Sequence, residues 1–248
     1  MKLATILYND KLHVCAVSNG HAYLADECYT GETGMLDFLS AGQSAFDALS
    51  NKMNKGEAAI AIDNIEFMAP VPKPNKMFGV ALNYDDHIAE TGRDKPEYPT
   101  FFNKQNTCVI GINAPIHKPK VSEKLDYEGE LGIVIGQRCR HVSHEQAATV
   151  IAGYTIVNDV SVRDWQMRSH TWTLGKSFDT HGPTGPWIIT SDEIDDPQNL
   201  NIKTWVNDEQ RQDFNTASMI FTCYTLVSYL SDVMTLEPGD IIATGTGS

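Results

Sequence analysis

Residues 126–135 read DYEGELGIVI, in which two glutamates flank a glycine and a run of apolar residues follows. Side chains two apart in an extended strand share a face, so Glu128 and Glu130 point the same way, about 6.6 Å apart along the strand. The apolar residues at positions 131, 133 and 135 take the opposite face, as a buried layer would. Two like charges side by side cost free energy unless a cation lies between them. The segment therefore predicts either a solvated strand face or a site for a hard divalent cation.

Asp159 supplies a candidate third carboxylate. It follows the mostly apolar strand predicted over 153–157, where a charged residue is out of place without a partner. Carboxylate oxygens suit Mg²⁺, Mn²⁺ or Ca²⁺ better than zinc, so Glu128, Glu130 and Asp159 are the candidate metal ligands. The alternative is that Asp159 caps the helix that follows while both glutamates face solvent. Spacing alone leaves both interpretations open.

Residues 1–70 are predicted to form a small α+β unit. The proline-rich run PVPKP at 70–74 cannot continue a helix or a central strand, so the boundary is placed there. Residues 71–248 are then predicted to form the second domain. Alternating and helical spacings of apolar residues predict the elements of the small unit. Its strands are 3–7 and 11–17, joined by a turn at 8–10, and its helices lie around 35–39 and 45–49.

The second domain is predicted to be mostly β. Its short strands are punctuated by Gly and Pro at irregular spacing, which favours a rolled or barrel-like β domain over a doubly wound sheet. The fold class is therefore α+β, mostly β. An apolar stripe predicts one clear helix, Ile220–Met234. The pattern at 241–248 is a strand entering a loop, so we expect further residues beyond 248. The predicted strands are 77–81, 131–135, 153–157, 187–190, 202–206 and 241–244.

Composition argues against several classes of partner. The chain carries 19 Lys+Arg against 32 Asp+Glu, a formal charge of −13, which disfavours nucleic acid and anionic membranes. The N-terminal residues lack a continuous apolar stretch, so no signal peptide is predicted. Five dispersed cysteines without CxxC spacing are typical of reduced thiols, and a cytoplasmic location is expected.

Six segments, in this order, together resemble the fumarylacetoacetate hydrolase family. They are GVALNY at 79–84 followed by a histidine, FFNK at 101–104, DYEGEL at 126–131, NDVSVRD at 158–164, GKSFD at 175–179, and PGDII at 238–242 with TGT at 244–246. The similarity is greatest to bacterial-type members with GKSFDT and MTLEPGD blocks. It implies a mixed β-roll catalytic domain, a homodimer, and Mg²⁺ or Mn²⁺ held by Glu128, Glu130 and Asp159.

The resemblance also implies roles for a histidine and a glutamate. His87 would orient and deprotonate a water, with Glu90 as its carboxylate partner. The two lie at i and i+3, so they share a face if the segment is helical. Histidine titrates near neutral pH, which suits this chemistry. The alternative is an exposed His–Glu pair. His170 and His181 have no spacing typical of a metal pair and are not proposed as ligands.

The remaining candidates are cationic and polar residues. Lys176 would offset the carboxylate charge and donate to an enolate oxygen, unless it is a surface lysine. Arg163 and Gln166, at i and i+3, are expected to contact the substrate; the alternative for Arg163 is an ion pair with Asp164 or Glu90.

Three further positions are implied more weakly. Tyr84 and Lys104 would line the pocket or be structural. Thr246 would meet a substrate carboxylate from a closing loop. Gly247 stands where the family usually has proline, which predicts a more flexible loop.

The predicted function is a Mg²⁺-dependent hydrolase. It would cleave a C–C bond in a small 2,4-dioxo acid of the acylpyruvate or fumarylpyruvate type through an enolate. The same site supports a tautomerase or isomerase, or a decarboxylase of 2-oxo dicarboxylates such as oxaloacetate. A catalytically silent protein that binds metal and ligand is a further alternative.

Overall fold

The computed structural model of the chain describes residues 1–86, 88 and 94–248. The predicted pair His87 and Glu90 lies outside these residues. Within the described part, no helix is long and apolar enough to cross a membrane.

The elements are numbered in chain order. The strands are β1 Lys2–Tyr8, β2 Lys11–Ser18, β3 His21–Leu24, β4 Ala59–Ala61, β5 Glu66–Phe67, β6 Met77–Ala81, β7 Thr100–Lys104, β8 Val109–Ile110, β9 Leu125–Asp126, β10 Gly129–Ile135, β11 Ile151–Asn158, β12 Ser161–Val162, β13 Gly182–Thr190, β14 Asn201–Val206, β15 Glu209–Asn215 and β16 Ile241–Ala243. The α-helices are α1 Gly34–Ala41, α2 Gln43–Lys55, α3 His144–Val150, α4 Arg163–Gln166, α5 Thr173–Lys176 and α6 Cys223–Val233.

The N-terminal hairpin follows from its turn residues. Asn9 and Asp10, between β1 and β2, both have positive φ (49° and 59°), which suits a two-residue hairpin turn. The strands predicted on either side of the turn are confirmed, although four consecutive residues of each are buried. The two helices α1 and α2 follow and are separated by Gly42, whose φ of 64° ends the first. They bury Phe38 and Leu49 against the sheet.

A single mixed sheet runs through the molecule. Among the described residues, twelve strands join in it, along the path β4-β3-β2-β1-β13-β11-β10-β16-β6-β7, with β5 beside β1 and β8 beside β13. Most neighbours are antiparallel, whereas β16 is parallel to β6, with Ile241 opposite Met77, and β8 is parallel to β13. This confirms the predicted α+β, mostly β class.

The N-terminal strands belong to the same sheet as the second domain. Lys2 of β1 lies opposite Ile189 of β13, and the two strands are antiparallel. The hydroxyl of Thr5 donates to the carbonyl of Pro70, 2.7 Å away, so the proline-rich segment lies against this strand. The domain boundary at residue 70 stays a prediction.

Helix α6 is shorter than the predicted Ile220–Met234. It begins at Cys223, because the hydroxyl of Thr222 accepts from the amide of Thr225 and caps it. The amides of Ile220 and Phe221 donate instead to the backbone and side-chain oxygens of Asn83, each at 2.8 Å. The apolar stripe runs through these residues as well, so it did not reveal where the helix begins.

Two short sheets lie beside the main one. Strand β9 pairs with β12, and β14 pairs with β15 as a hairpin. In β15, Gln212 and Phe214 are buried while Arg211 and Asp213 are exposed. Since residues two apart share a face, this hairpin presents one buried face to the rest of the domain.

Candidate metal centre and active site

Two neighbouring strands bring three carboxylates together. Glu130 lies in β10 with Glu128 just before it, and Asp159 follows β11. The strands are paired so that Gly129 lies opposite Asn158, and the amide of Asp159 donates to the carbonyl of Glu128 at 2.9 Å. One oxygen from each carboxylate lies within 4.8 Å of the others.

The three side chains are buried. Glu128 is 7%, Glu130 1% and Asp159 0% exposed. The solvated-strand alternative for the two glutamates is therefore wrong. The capping alternative for Asp159 is wrong too, because the N-cap of α4 is Val162, and it is lysines that bind the Asp159 carboxylate.

Lys176 bridges two of the carboxylates from the end of α5. Its Nζ lies 2.6 Å from Oε2 of Glu128 and 2.8 Å from Oδ2 of Asp159. Burial alone would lower the pKa of Lys176, but Asp159 and Glu128 outweigh it and the pKa is raised. The side chain is thus a buried ammonium, not a surface lysine.

Lys104, at the end of β7, holds Asp159 from the other side. Its fully buried Nζ donates to Oδ1 of Asp159 at 2.7 Å, to the carbonyl of His181 at 3.0 Å, and to the carbonyl of Lys176. Burial tends to raise the pKa of Asp159, yet Lys104 and Lys176 together lower it. Asp159 is therefore an anion at neutral pH.

Arg163 connects the site to the β9 strand. Its Nε lies 2.8 Å from Oδ2 of Asp126, and its Nη1 contacts Glu128 and donates to Oε1 of Gln166 at 3.0 Å. The helical spacing that predicted Arg163 and Gln166 on one side is confirmed. The alternative ion pair with Asp164 is not the arrangement found, because the Asp164 carboxylate accepts from Ser122.

Glu130 lacks a cationic partner within the described part of the chain. Its Oε2 accepts from the amide of Gly245 at 2.7 Å. Burial, followed by the charges of Asp159 and Glu128, raises the pKa of Glu130 well above its usual value. A buried carboxylate in this situation fits a hard divalent cation, and the all-oxygen donor set fits Mg²⁺ or Mn²⁺ in particular.

The loop after β16 closes over the glutamate strand. The hydroxyl of Thr246 donates to the carbonyl of Gly129 at 2.9 Å and accepts from Nε2 of Gln212 at 2.8 Å. The flexible loop predicted at Gly247 is not found, because the carbonyl of Gly247 accepts from the same Nε2 at 2.8 Å. A Cβ built on Gly247 would lie 2.4 Å from Cγ of Phe214, so this glycine permits close packing.

Tyr84 lies in the core rather than on an open surface. It is 0% exposed, and its ring packs edge-to-face on Phe214 with centroids 5.0 Å apart. Its hydroxyl has no hydrogen-bond partner among the described residues. Burial raises the pKa of Tyr84. The predicted substrate contacts of Tyr84, Gln166, Arg163 and Thr246 stay predictions.

His181 is buried and does not join the carboxylates. Its Nε2 lies 2.9 Å from the carbonyl of His117, which fixes a proton on that nitrogen. Burial lowers the pKa of His181, so the ring is neutral at neutral pH.

Two residues at the site were missed by the sequence reasoning. Asp126 shares the alternating face of Glu128 and Glu130, so the spacing D-x-E-x-E could have revealed it. Gln212 has no local signal, because its partners Gly129 and Thr246 are distant in sequence.

Comparisons with known proteins agree with this site. A family model described as Fumarylacetoacetate (FAA) hydrolase C-terminal matches residues 76–248. A relative from Burkholderia multivorans, which carries the provisional name of a hydrolase, is 48% identical over 179 residues. The match covers 72% of this chain and 64% of that relative, so the chain spans less than two thirds of its length.

Two further relatives carry more specific names. Oxaloacetate tautomerase fahd2, mitochondrial, of Xenopus laevis is 38% identical over 214 residues, 86% of this chain and 67% of that protein. The structure of maleylpyruvate hydrolase from Sphingobium sp. SYK-6, in complex with manganese(II) ion and pyruvate, superimposes with a TM-score of 0.84 at 32% identity. It covers 100% of this chain and 89% of that one. With a matching model over most of its residues and relatives at this level of identity, the chain belongs to the fumarylacetoacetate hydrolase family.

Proposed function

We propose that the protein is a divalent-metal-dependent enzyme that stabilises the enolate of a small 2-oxo acid. The reaction we favour is hydrolysis of a C–C bond in a 2,4-dioxo acid of the acylpyruvate type. The observation that carries the proposal is the buried cluster of Glu128, Glu130 and Asp159, whose oxygens lie within 4.8 Å of one another. Support also comes from the structural similarity to a maleylpyruvate hydrolase with manganese(II) and pyruvate.

The charge balance of the site supports an anionic substrate. Four carboxylates face three cations, an excess of one negative charge, which a divalent ion would turn into an excess of one positive charge. The carboxylates are Glu128, Glu130, Asp159 and Asp126, and the cations are Lys104, Lys176 and Arg163. A chain with a formal charge of −13 needs such a local reversal to hold a 2-oxo acid.

The residues of the site would have separate roles in the proposed reaction. Glu128, Glu130 and Asp159 would hold Mg²⁺ or Mn²⁺, which polarises the 2-oxo group and so favours the enolate. The Lys176 ammonium lies beside two of these ligands and would donate to the oxygen on which negative charge develops. Arg163 would neutralise the substrate carboxylate, with Gln166 fixing the orientation of its guanidinium.

Hydrolysis requires one water for each substrate. The water oxygen adds to the 4-oxo carbon and the C3–C4 bond breaks. Its electron pair passes into the enolate of the 2-oxo acid, and a proton then returns to C3. The products are a carboxylic acid and a 2-oxo acid. We assign the activation of this water to His87 with Glu90 from the sequence motif.

Keto–enol tautomerisation of oxaloacetate is the second candidate. It is favoured by the Xenopus laevis oxaloacetate tautomerase, whose match covers 86% of this chain. This reaction uses the same enolate and moves a proton between C3 and the 2-oxygen without adding water. The three carboxylates and Lys176 would serve both reactions, so only substrates can distinguish them.

A metal-removal and substrate screen tests the proposal. The protein is stripped with EDTA and assayed with acylpyruvates and with oxaloacetate, before and after Mg²⁺ or Mn²⁺ is added back. We expect ultraviolet loss of the enol absorption only with metal. Two acids as products, identified by NMR, indicate hydrolysis, whereas unchanged carbon count with deuterium entering C3 indicates tautomerisation. Tight metal binding without turnover of any 2-oxo acid would favour the catalytically silent alternative.

Replacement of His87 tests the assignment of water activation. We expect His87→Ala to lower hydrolysis by about 10²–10⁴-fold, the usual contribution of a general base. The Kd for Mn²⁺ should stay close to that of the wild type, because the carboxylates are unchanged. The same replacement at the exposed His170 is the matched control. An unaltered rate in His87→Ala would overturn the assignment.

A further inference from the structure

Gln212 uses every hydrogen-bonding position of its side chain within 3.0 Å. Its Oε1 accepts from the amide of Gly129 at 3.0 Å and from the hydroxyl of Thr204 at 2.9 Å. Its Nε2 donates to the hydroxyl of Thr246 and to the carbonyl of Gly247, both at 2.8 Å. The orientation of the Gln212 side-chain amide is fixed, because its Oε1 faces the N–H of Gly129 and its Nε2 faces the carbonyl of Gly247.

The partners of Gln212 lie at the acidic cluster. Gly129 lies between the two glutamates. The amide of Gly245, the residue before Thr246, donates to Oε2 of Glu130 at 2.7 Å. The Thr246 hydroxyl also donates to the carbonyl of Gly129 at 2.9 Å. The side chain of Gln212 therefore joins three pieces of chain, which are the glutamate strand, the loop after β16 and the β14–β15 hairpin.

Close packing explains why these pieces meet here. A Cβ on Gly129 would lie 2.5 Å from Oγ1 of Thr204 and 3.4 Å from Oε1 of Gln212. The glycine between the glutamates thus permits the hairpin to approach the strand. Gln212 is 7% exposed, and a buried amide with all its bonds made holds its neighbours in one geometry.

We propose that Gln212 is a positioning residue of the metal centre, which holds the Glu128–Glu130 strand and the 245–247 loop in the geometry that binds a divalent cation. The inference rests on the proposed function. The side-chain hydrogen bonds of Gln212 go to Gly129, Thr204, Thr246 and Gly247, not to the three carboxylates. It acts through Gly129 on the direction of both glutamates, and through Thr246 and Gly247 on the loop whose Gly245 amide orients Glu130.

The test measures the affinity for Mn²⁺ directly, by calorimetry or by the electron paramagnetic resonance of the free ion. Gln212→Met keeps the length of the side chain and removes its polar bonds. We expect the Kd for Mn²⁺ to rise by about 10–100-fold, the usual effect of an outer partner of metal ligands. Gln210→Met is the matched control, because Gln210 lies on the same strand and its exposed side chain donates to the exposed Asp213.

A purely structural role is separated from positioning by a second control. Leu226→Ala creates a cavity in the core helix α6. It should lower the melting temperature without changing the Kd for Mn²⁺. If Gln212→Met does not fold, the milder Gln212→Asn, which is too short to reach both sides, should raise the Kd by at least about fivefold. A wild-type Kd in a folded Gln212 variant would overturn the inference.

These outcomes are independent of turnover. If the wild-type protein binds Mn²⁺ but converts no 2-oxo acid, the proposed function fails while the Kd values still decide the role of Gln212. If the wild type is active and the Gln212 variants bind Mn²⁺ normally, the positioning role fails alone.

Discussion

Glu130→Gln is expected to abolish metal-dependent activity and, at the same time, to stabilise the metal-free protein. The substitution preserves the shape of the side chain and an oxygen that can accept from the amide of Gly245. It removes one of the three carboxylates proposed to hold the cation, so the affinity for Mn²⁺ should fall by at least about 100-fold, more than for an outer partner. Calorimetric titration with Mn²⁺ and the substrate screen measure the two losses.

The gain in stability follows from the raised pKa of Glu130. Burial and the neighbouring carboxylates raise this pKa from the ordinary value of 4.5. A carboxyl whose pKa is higher in the folded state stabilises the fold below pH 4.5, and this contribution is lost as pH rises through the folded-state pKa. Glutamine does not ionise, so it avoids the cost of a buried negative charge. The free energy of unfolding of the variant should therefore exceed that of the wild type by an amount that grows as pH rises above 4.5.

Urea denaturation of the EDTA-treated proteins across this pH range tests the prediction. The same substitution at the exposed Glu66 is the control and should change the free energy of unfolding by less than about 0.5 kcal/mol. A metal-free wild type that is more stable than Glu130→Gln at neutral pH would contradict the account.

Lys104→Met is expected to cause the largest loss of stability. The Lys104 ammonium is fully buried, and its removal leaves Asp159 with one cation and the carbonyls of His181 and Lys176 without this donor. Breaking a buried ion pair in this way typically costs about 3–5 kcal/mol. Urea unfolding at neutral pH measures it. The exposed Lys73, paired with Glu32, provides the control, and its replacement by Met should cost less than about 1 kcal/mol.

A double variant identifies the cause of that loss. When Asp159→Asn is added to Lys104→Met, no unpaired buried charge remains on that side, so part of the lost stability should return. Acid dependence gives a second check. The pKa of Asp159 is lowered from 3.8, so its contribution is present above that pH and is lost as pH falls through the folded-state pKa. Strictly additive effects of the two substitutions would contradict the pairing.

The acidic cluster was predictable because its three carboxylates carry local signals in the sequence. Glu128 and Glu130 stand two apart at the start of an apolar strand, and Asp159 follows the end of another. Alternation therefore predicted that the two glutamates share one face of their strand. That the two strands are neighbours was not in the spacing itself. It came from the resemblance of the surrounding segments, and the pairing of Gly129 with Asn158 shows the neighbourhood directly.

Side-chain contacts between residues distant in sequence could not be predicted from the sequence. Lys104 and Gln212 look like ordinary strand residues, and only the folded chain shows that one holds Asp159 and the other holds Gly129. The start of helix α6 was predicted too early, because the apolar stripe begins before the residue at which Thr222 caps the helix. A flexible loop was expected at Gly247, yet the structure gives its carbonyl a buried donor.

The pairing of β1 with β13 has a consequence for biosynthesis. The edge of β1 at Lys2 stays without its strand partner until Ile189 has been synthesised. At ribosomal rates of about 5–20 residues per second, that interval is on the order of ten to forty seconds. During it the early hairpin presents an open edge to other nascent chains, which is the hazard that chaperones shield. Translation that stalls before residues 182–190 are made should therefore promote aggregation more than stalling after them.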